Sequence, residues 1–266
     1  MVAADKTNIA ATDVFKSKPM KQASSVTVCT VIAVHLFPFF AFTQSSTPKY
    51  EIGINAGMFI YQGDLTPSAT GSFKTPSAVF GINGSRRLTN AFAVRLDLNI
   101  GRLRGADSVY ASPEWRKQRA FAFTTPVTEV TGSLVYYPMG TERKFSPYLF
   151  AGVGLAFINV KRDYSAYNAA YFSEAEGIDE GLQQDVAHKL PRTVPVLPLG
   201  IGVRYPLSQK FFLASEASYR LMRTDYLDGF SQAANPSLKD HYSKLSIGVG
   251  YRLGIKDKYG CPTVRF

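Results

Sequence analysis

The chain has 266 residues, of which 45% are hydrophobic, 19% charged and 13% aromatic, with 21 Gly and 2 Cys. That aromatic and glycine content excludes a disordered tail or a coiled coil, and so few cysteines exclude a disulfide scaffold. A formal net charge of +10 permits nucleic-acid binding, but charge speaks to partners rather than to fold, so its placement along the chain has to decide.

Residues 1–19 are polar and carry no apolar period. Lys16, Lys18 and Lys21 then precede an apolar stretch from Val26 to Ala41, followed by Thr43, Gln44 and Ser45. Cations, a short apolar core and then small or polar residues make a secretory signal, so residues 1–43 read as an extension and signal peptide, with Met20 as an alternative start. A transmembrane helix is the competing reading. His35 and Pro38 interrupt the stretch and no cationic stop-transfer cluster follows, which disfavours it. Cys29 leaves with the signal, so Cys261 stays as a lone thiol in an expected periplasmic tail at 256–266.

From 44 to 255 the period is two almost throughout, with one apolar face and one of Gly and polar residues. Ile52, Ile54, Ala56, Met58 and Ile60 alternate with Glu51, Gly53, Asn55, Gly57 and Phe59. Ala78, Phe80 and Ile82 oppose Val79, Gly81, Asn83 and Ser85, and Val94, Leu96, Leu98 and Ile100 oppose Arg95, Asp97, Asn99 and Gly101. The fourth segment, from about Val127 to Tyr137, sets Val130, Leu134 and Tyr136 against Glu129, Thr131 and Ser133. In the fifth, Leu149, Val153 and Leu155 oppose Tyr148, Phe150, Gly152 and Gly154; in the sixth, Leu197, Leu199, Ile201 and Val203 oppose Gly200, Gly202 and Arg204. The seventh sets Phe211, Leu213 and Tyr219 against Glu216, Ser218 and Arg220, and the eighth sets Leu245, Ile247 and Val249 against Lys244, Ser246, Gly248 and Gly250. Eight strands of roughly ten residues match the smallest transmembrane barrels. The predicted fold is therefore all-β, an eight-stranded antiparallel outer-membrane barrel; a ten-stranded one that recruits part of a long loop is the variant.

The connections alternate between short and long. Leu88 to Ala91, Pro138 to Pro147 and Pro206 to Lys210 are short, whereas 61–77, 102–126, 161–192 and 222–241 are long. Short periplasmic turns and long outer loops have this pattern. Aromatics gather at the short-turn ends, and Tyr136, Tyr148, Tyr205, Phe211 and Tyr251 are expected to form an interfacial girdle. A soluble lipocalin-like barrel or β-sandwich is the alternative. Its exposed face would favour Thr, Lys and Glu, whereas the polar face here is rich in Gly, which suits a crowded lumen.

With the polar face inside, Asp97, Glu129 and Glu216 fall near mid-height with Arg95 and Arg220 in reach, and Arg87, Arg204 and Arg252 fall near Glu51. Buried charges must be paired, so a salt-bridge network that plugs the lumen is expected, with a narrow ion pathway as the alternative. His188 and His241 have no second ligand at metal spacing, so neither metal nor cofactor is expected. Ser243 and Asp240 flank His241 too closely in sequence for a catalytic triad, so no enzyme is expected. No phosphate-binding Gly-rich loop is present, and the cations are divided between lumen and loops, which removes nucleic acid as a partner. The second long loop is basic, with Arg102, Arg104, Arg116, Lys117 and Arg119 around Trp115, and suits lipopolysaccharide phosphates. The third is acidic, with Glu174, Glu176, Asp179, Glu180 and Asp185; both loops read as solvated.

Four strings resemble a family of Bacteroidota outer-membrane β-barrel proteins that includes PorG of the type IX secretion system. They are Tyr61-Gln62-Gly63-Asp64-Leu65, Arg95 to Gly105, Ser146 to Gly154, and Thr224-Asp225-Tyr226-Leu227-Asp228, within a resemblance that spans about residues 50–255. The resemblance implies an eight-stranded barrel that ties a periplasmic ring of the secretion machine to the outer membrane, and it supplies no catalytic residues. The expected function is a non-enzymatic anchor or scaffold in the bacterial outer membrane, with lipid, lipopolysaccharide and a periplasmic ring protein as partners. The alternative is a surface barrel whose loops bind host, polysaccharide or lipopolysaccharide.

Overall fold

The structure is a computed structural model that describes residues 49–254 apart from 68–70, 142, 173–176 and 238. The expected signal segment, Cys29, Cys261, the tail at 256–266, Glu174 and Glu176 lie outside the described residues.

Eight strands close into one antiparallel ring: β1 (Tyr50–Gln62), β2 (Ser77–Arg87), β3 (Phe92–Ala106), β4 (Ala122–Tyr136), β5 (Ser146–Ile158), β7 (Thr193–Pro206), β8 (Phe211–Met222) and β9 (His241–Leu253). Each pairs with its sequence neighbour in the ring, and β1 with β9 closes it, Gly53 facing Gly250 and Gly57 facing Ser246. The remaining strand, β6 (Lys161–Asp163), pairs only with the upper end of β4 and does not enlarge the ring. The count is therefore eight and not ten.

Burial fixes which face is outside. Leu96 is 69% exposed, Ile54 66% and Phe80 65%, while Glu129 is fully buried. Apolar side chains turned outward around a buried ionic interior suit hydrocarbon and not water. Shallow apolar clefts also lie on this outer face, one of them lined by such residues as Ile54, Phe80, Leu98 and Val249. Ile60 departs from the outward set. It is buried, because Gly71 of the first long loop folds against it.

The glycines of the inner face have a packing role. A Cβ at Gly200, Gly202 or Gly250 would run into the ring of Phe150, Tyr148 or Phe212 respectively, so each glycine leaves the space that a lumenal aromatic fills. Gly250→Ala is expected to destabilise the barrel by about 1–3 kcal/mol through overpacking, read as a lower temperature of conversion between the folded and unfolded gel mobilities. An unchanged conversion temperature would show that the Phe212 ring has room to move.

Strands β3 and β4 run past the membrane-spanning length and raise a second layer above the barrel. Arg102 and Arg104 consequently lie on β3 and not in a loop. The inner faces of these extensions, with Leu103 and Phe123, pack against Leu65, Leu227 and Phe230 from the first and fourth long loops. The second loop holds a 3-10 turn (Asp107–Val109) and α1 (Trp115–Arg119), and the third holds β6 and α2 (Ile178–Ala187). On β6, Arg162 donates to the carbonyls of Asp185 and Val186 at the C-terminal end of α2, where orphan carbonyls and the helix dipole favour a cation. The loops thus form a folded cap and are not simply solvated.

Candidate functional site: the lumen and its cap

The lumen is filled at three levels. At the short-turn end Glu51 accepts from Arg87 at 3.0 Å and from Arg204 at 2.9 Å, with Arg252 at 3.7 Å. Above it, Arg95 bridges Asp97 at 2.9 Å and Glu216 at 2.5 Å, and the Tyr148 hydroxyl donates to Glu216 at 2.6 Å. At the third level Glu129 accepts from Arg220 Nε at 3.2 Å, from the Tyr242 hydroxyl at 2.6 Å and from the Asn99 amide at 3.1 Å. Lys244 Nζ then donates to Asn99 Oδ1 at 2.6 Å, and Arg220 also donates to Ser218. Alternation brings these groups together, because every member stands on the inward parity of its strand. A cavity of about 40 Å³ between the first two levels, lined by Glu51, Asn83, Tyr137 and Phe212 among others, has room for a water or two.

Sequence reasoning places Arg95, Asp97, Glu129, Glu216 and Arg220 in this interior, and the structure brings them into contact with one another as two groups. Lys244, Asn99, Tyr242 and Tyr148 complete the groups and were missed as members. Lys244 and Asn99 do alternate with outward apolar residues, and that was the available signal.

Tyr148 corrects the expected girdle. It is buried and turned into the lumen, because it shares the inward parity of β5 with Phe150 and its hydroxyl finds Glu216 there. Tyr136, Tyr205 and Phe211 are exposed at the short-turn end, and the Tyr251 ring lies tilted against that of Phe211 with 5.1 Å between ring centroids.

The cap is organised by buried carboxylates. Asp107 accepts from Arg116 at 2.8 Å and from Arg119 at 2.7 Å, so those two cations of the expected basic loop are buried within the cap. Asp185, expected in a solvated acidic loop, is fully buried and accepts the amides of Ser231, Gln232 and Ala233. Two of the four family strings, those around Asp64 and Asp225, meet here. Asp64 accepts the Asn235 amide at 3.0 Å, the Ser231 hydroxyl donates to Asp225 at 2.5 Å, and Asp228 accepts the Phe230 amide at 2.8 Å. Gly63 and Leu65 flank Asp64, with Leu65 and Leu227 in the cap core and the Tyr226 ring stacked on His188.

At the centre, Tyr61 Oη lies 2.7 Å from Asp228 Oδ2 and 2.6 Å from Asp240 Oδ1. Burial pushes the carboxyl of Asp240 up to about 8, and burial together with the Asp240 charge pushes that of Asp228 well above its ordinary value. Burial raises Asp64 to about 6 against the opposing Asn235 amide. A phenol has a single proton to donate, so a second proton must sit on the carboxylate pair for both contacts to be hydrogen bonds.

No triad forms around His241. Its Nδ1 accepts the Met222 amide at 3.2 Å, while Asp240 faces Tyr61 and the Leu227 amide on the lumen side. Among the described residues no group of three His, Cys, Asp or Glu side chains has metal-binding geometry.

The family model described as outer membrane protein beta-barrel domain matches residues 29–252. Solved structures similar to the chain include Neisserial surface protein A, at 15% identity over 79% of this chain and 100% of that one, with a TM-score of 0.45. OprG from Pseudomonas aeruginosa is similar at 14% identity over 77% and 96%, with a TM-score of 0.41. The outer membrane enzyme PagL is similar at 11% identity over 75% and 97%, with a TM-score of 0.37. No curated protein sequence matches the chain.

Proposed function

The chain belongs to the outer membrane protein beta-barrel domain family and resides in the bacterial outer membrane, and from that premise we propose that it is a non-enzymatic, non-conducting anchor for periplasmic partners, specifically a PorG-like component of type IX secretion. The filled lumen carries the reading. Three levels of paired charge occupy an interior that eight strands leave only wide enough for side chains, so the useful surfaces of the molecule are its two ends. At the short-turn end Leu88, Met139, Phe145 and Leu207 are exposed on the turn segments, an apolar set of the kind a partner buries. The specific link to secretion rests on the strings around Asp64 and Asp225 to Asp228.

A photo-crosslinking residue at Leu88 or Leu207 in intact cells is expected to capture a periplasmic protein, and deletion of the gene is expected to stop export of type IX cargo. Planar bilayers containing the purified protein are expected to show no conductance steps. Absence of a periplasmic adduct with secretion intact after deletion would remove the anchor role, and steady single-channel current would remove the plug.

A further inference from the structure

A row of cations stands on the outside of the barrel just above its apolar belt. On β3 the outward residues are Val94, Leu96, Leu98 and Ile100, and the same face continues upward as Arg102 and Arg104, both exposed. Arg104 pairs with Thr124 of β4, and Thr124 pairs with Lys161 of β6, which is also exposed. Neighbouring strands lie about 4.8 Å apart, so Arg104 and Lys161 flank Thr124 with about 10 Å between their Cα atoms. That gap lets both long side chains close on one tetrahedral anion over the short threonine.

Height gives the anion its source. Arg102 and Arg104 lie two and four residues beyond Ile100, which at a strand tilt of about 40° places them about 5 and 10 Å above the last apolar ring. Lipid headgroup phosphates occupy that depth. On the β8, β9 and β1 side the upper outward strand positions Tyr219, Ser243, His241 and Gln62 carry no Lys or Arg, and the exposed cations of that side, Arg223 and Lys239, stand beyond the ends of β8 and β9. Asp163 follows Lys161 on the same face, but its Oδ1 accepts the amide of Ser165 at 3.0 Å and its hydroxyl at 2.7 Å. Among the described residues Arg102, Arg104 and Lys161 make no ion pair, whereas Arg116 and Arg119 of the neighbouring loop are bound to Asp107.

We propose that Arg102, Arg104 and Lys161 form a binding site for a phosphate of an outer-leaflet glycolipid, held between Arg104 and Lys161 over Thr124. Arg offers two parallel N–H donors to phosphate oxygens and Lys a point charge, the pairing that phosphate sites use. β6 then acquires a purpose beyond supporting α2, since its three residues put Lys161 in register with Arg104.

Native mass spectrometry of the full chain in detergent would compare three probes: bis-phosphorylated lipid A, the same lipid with its phosphates removed, and inorganic phosphate. The wild-type protein is expected to retain the phosphorylated lipid at least about tenfold more tightly than the dephosphorylated one. Arg104→Gln with Lys161→Gln should reduce that retention to the dephosphorylated level, and the charge-preserving Arg104→Lys with Lys161→Arg should keep most of it. Lys117→Gln, on an exposed cation of α1, should change nothing. Equal retention of both lipids would overturn the site, as would unchanged retention in the Gln variant. Binding of inorganic phosphate with no preference between the lipids would overturn the lipid as its source. Gel mobility before and after heating verifies that each variant is folded; should the Gln pair not fold, loss of retention in 0.5 M salt by the wild type decides instead, since exposed charge contacts are screened.

Discussion

Glu129→Ala is expected to destabilise the barrel by about 3–5 kcal/mol, the cost of leaving one partner of a buried ion pair without the other. Glu129 is fully buried and receives Arg220, Tyr242 and Asn99 together, so its removal strands a guanidinium, a hydroxyl and an amide in an interior enclosed by lipid. Replacing both charges separates the worth of the pair from the cost of orphaning one member. Glu129→Leu with Arg220→Met is expected to recover most of the loss, because apolar groups of similar volume need no compensation. Urea unfolding in lipid vesicles, followed by gel mobility, reads both effects. If the single variant unfolds at the wild-type urea concentration, the lumenal network is not what stabilises the barrel, and the non-conducting anchor loses its principal support.

The inner members of that network were legible because a strand in a lipid-enclosed barrel reports its two faces directly. Arg95 and Asp97 stand two residues apart on β3, so they must share a face, and the apolar Val94, Leu96 and Leu98 assign that face to the inside. Which partners meet is set by strand order and register, and these follow from the alternation of short and long connections around one closed ring. Tyr148 escaped because an aromatic at a strand end suits either the interface or the lumen by composition. Its parity with Phe150 decided the matter. The cap escaped for a different reason: its contacts join positions as distant as Asp64 and Asn235, or Asp185 and Ala233, through irregular backbone with no period to read. Arg116 and Arg119 illustrate the same limit. A charge run on a loop looks solvated until a buried carboxylate such as Asp107 is placed beneath it.

The carboxylate pair around Tyr61 makes the cap sensitive to pH, with the sign fixed by the direction of the shifts. Asp240 rises from an ordinary value of 3.8 to about 8, and Asp228 is raised as well, so the folded cap holds protons that the unfolded chain releases. The stabilisation from such a group is complete below its unfolded value and is lost as pH rises through its folded value. Facing the pair are Tyr61 from β1, Asp64 from the first loop and Asp225 from the fourth. The nearby cations Arg116 and Arg119 are engaged on Asp107. The cap is therefore expected to weaken progressively from about pH 4 to pH 8 while the barrel below stays folded. Trp115, the only tryptophan of the chain, lies in the cap beside Arg119 and reports its state by fluorescence. The urea midpoint read from Trp115 should fall between pH 5 and pH 8.5, whereas the gel-mobility midpoint of the barrel should move far less. Asp240→Asn removes the titrating group and keeps its shape, so it should flatten most of the dependence. Tyr61→Phe removes the hydroxyl that lies between the two carboxylates and should lower the midpoint at both values. A wild-type midpoint that is level across this range, or one that rises, would show that Asp228 and Asp240 do not hold the extra proton.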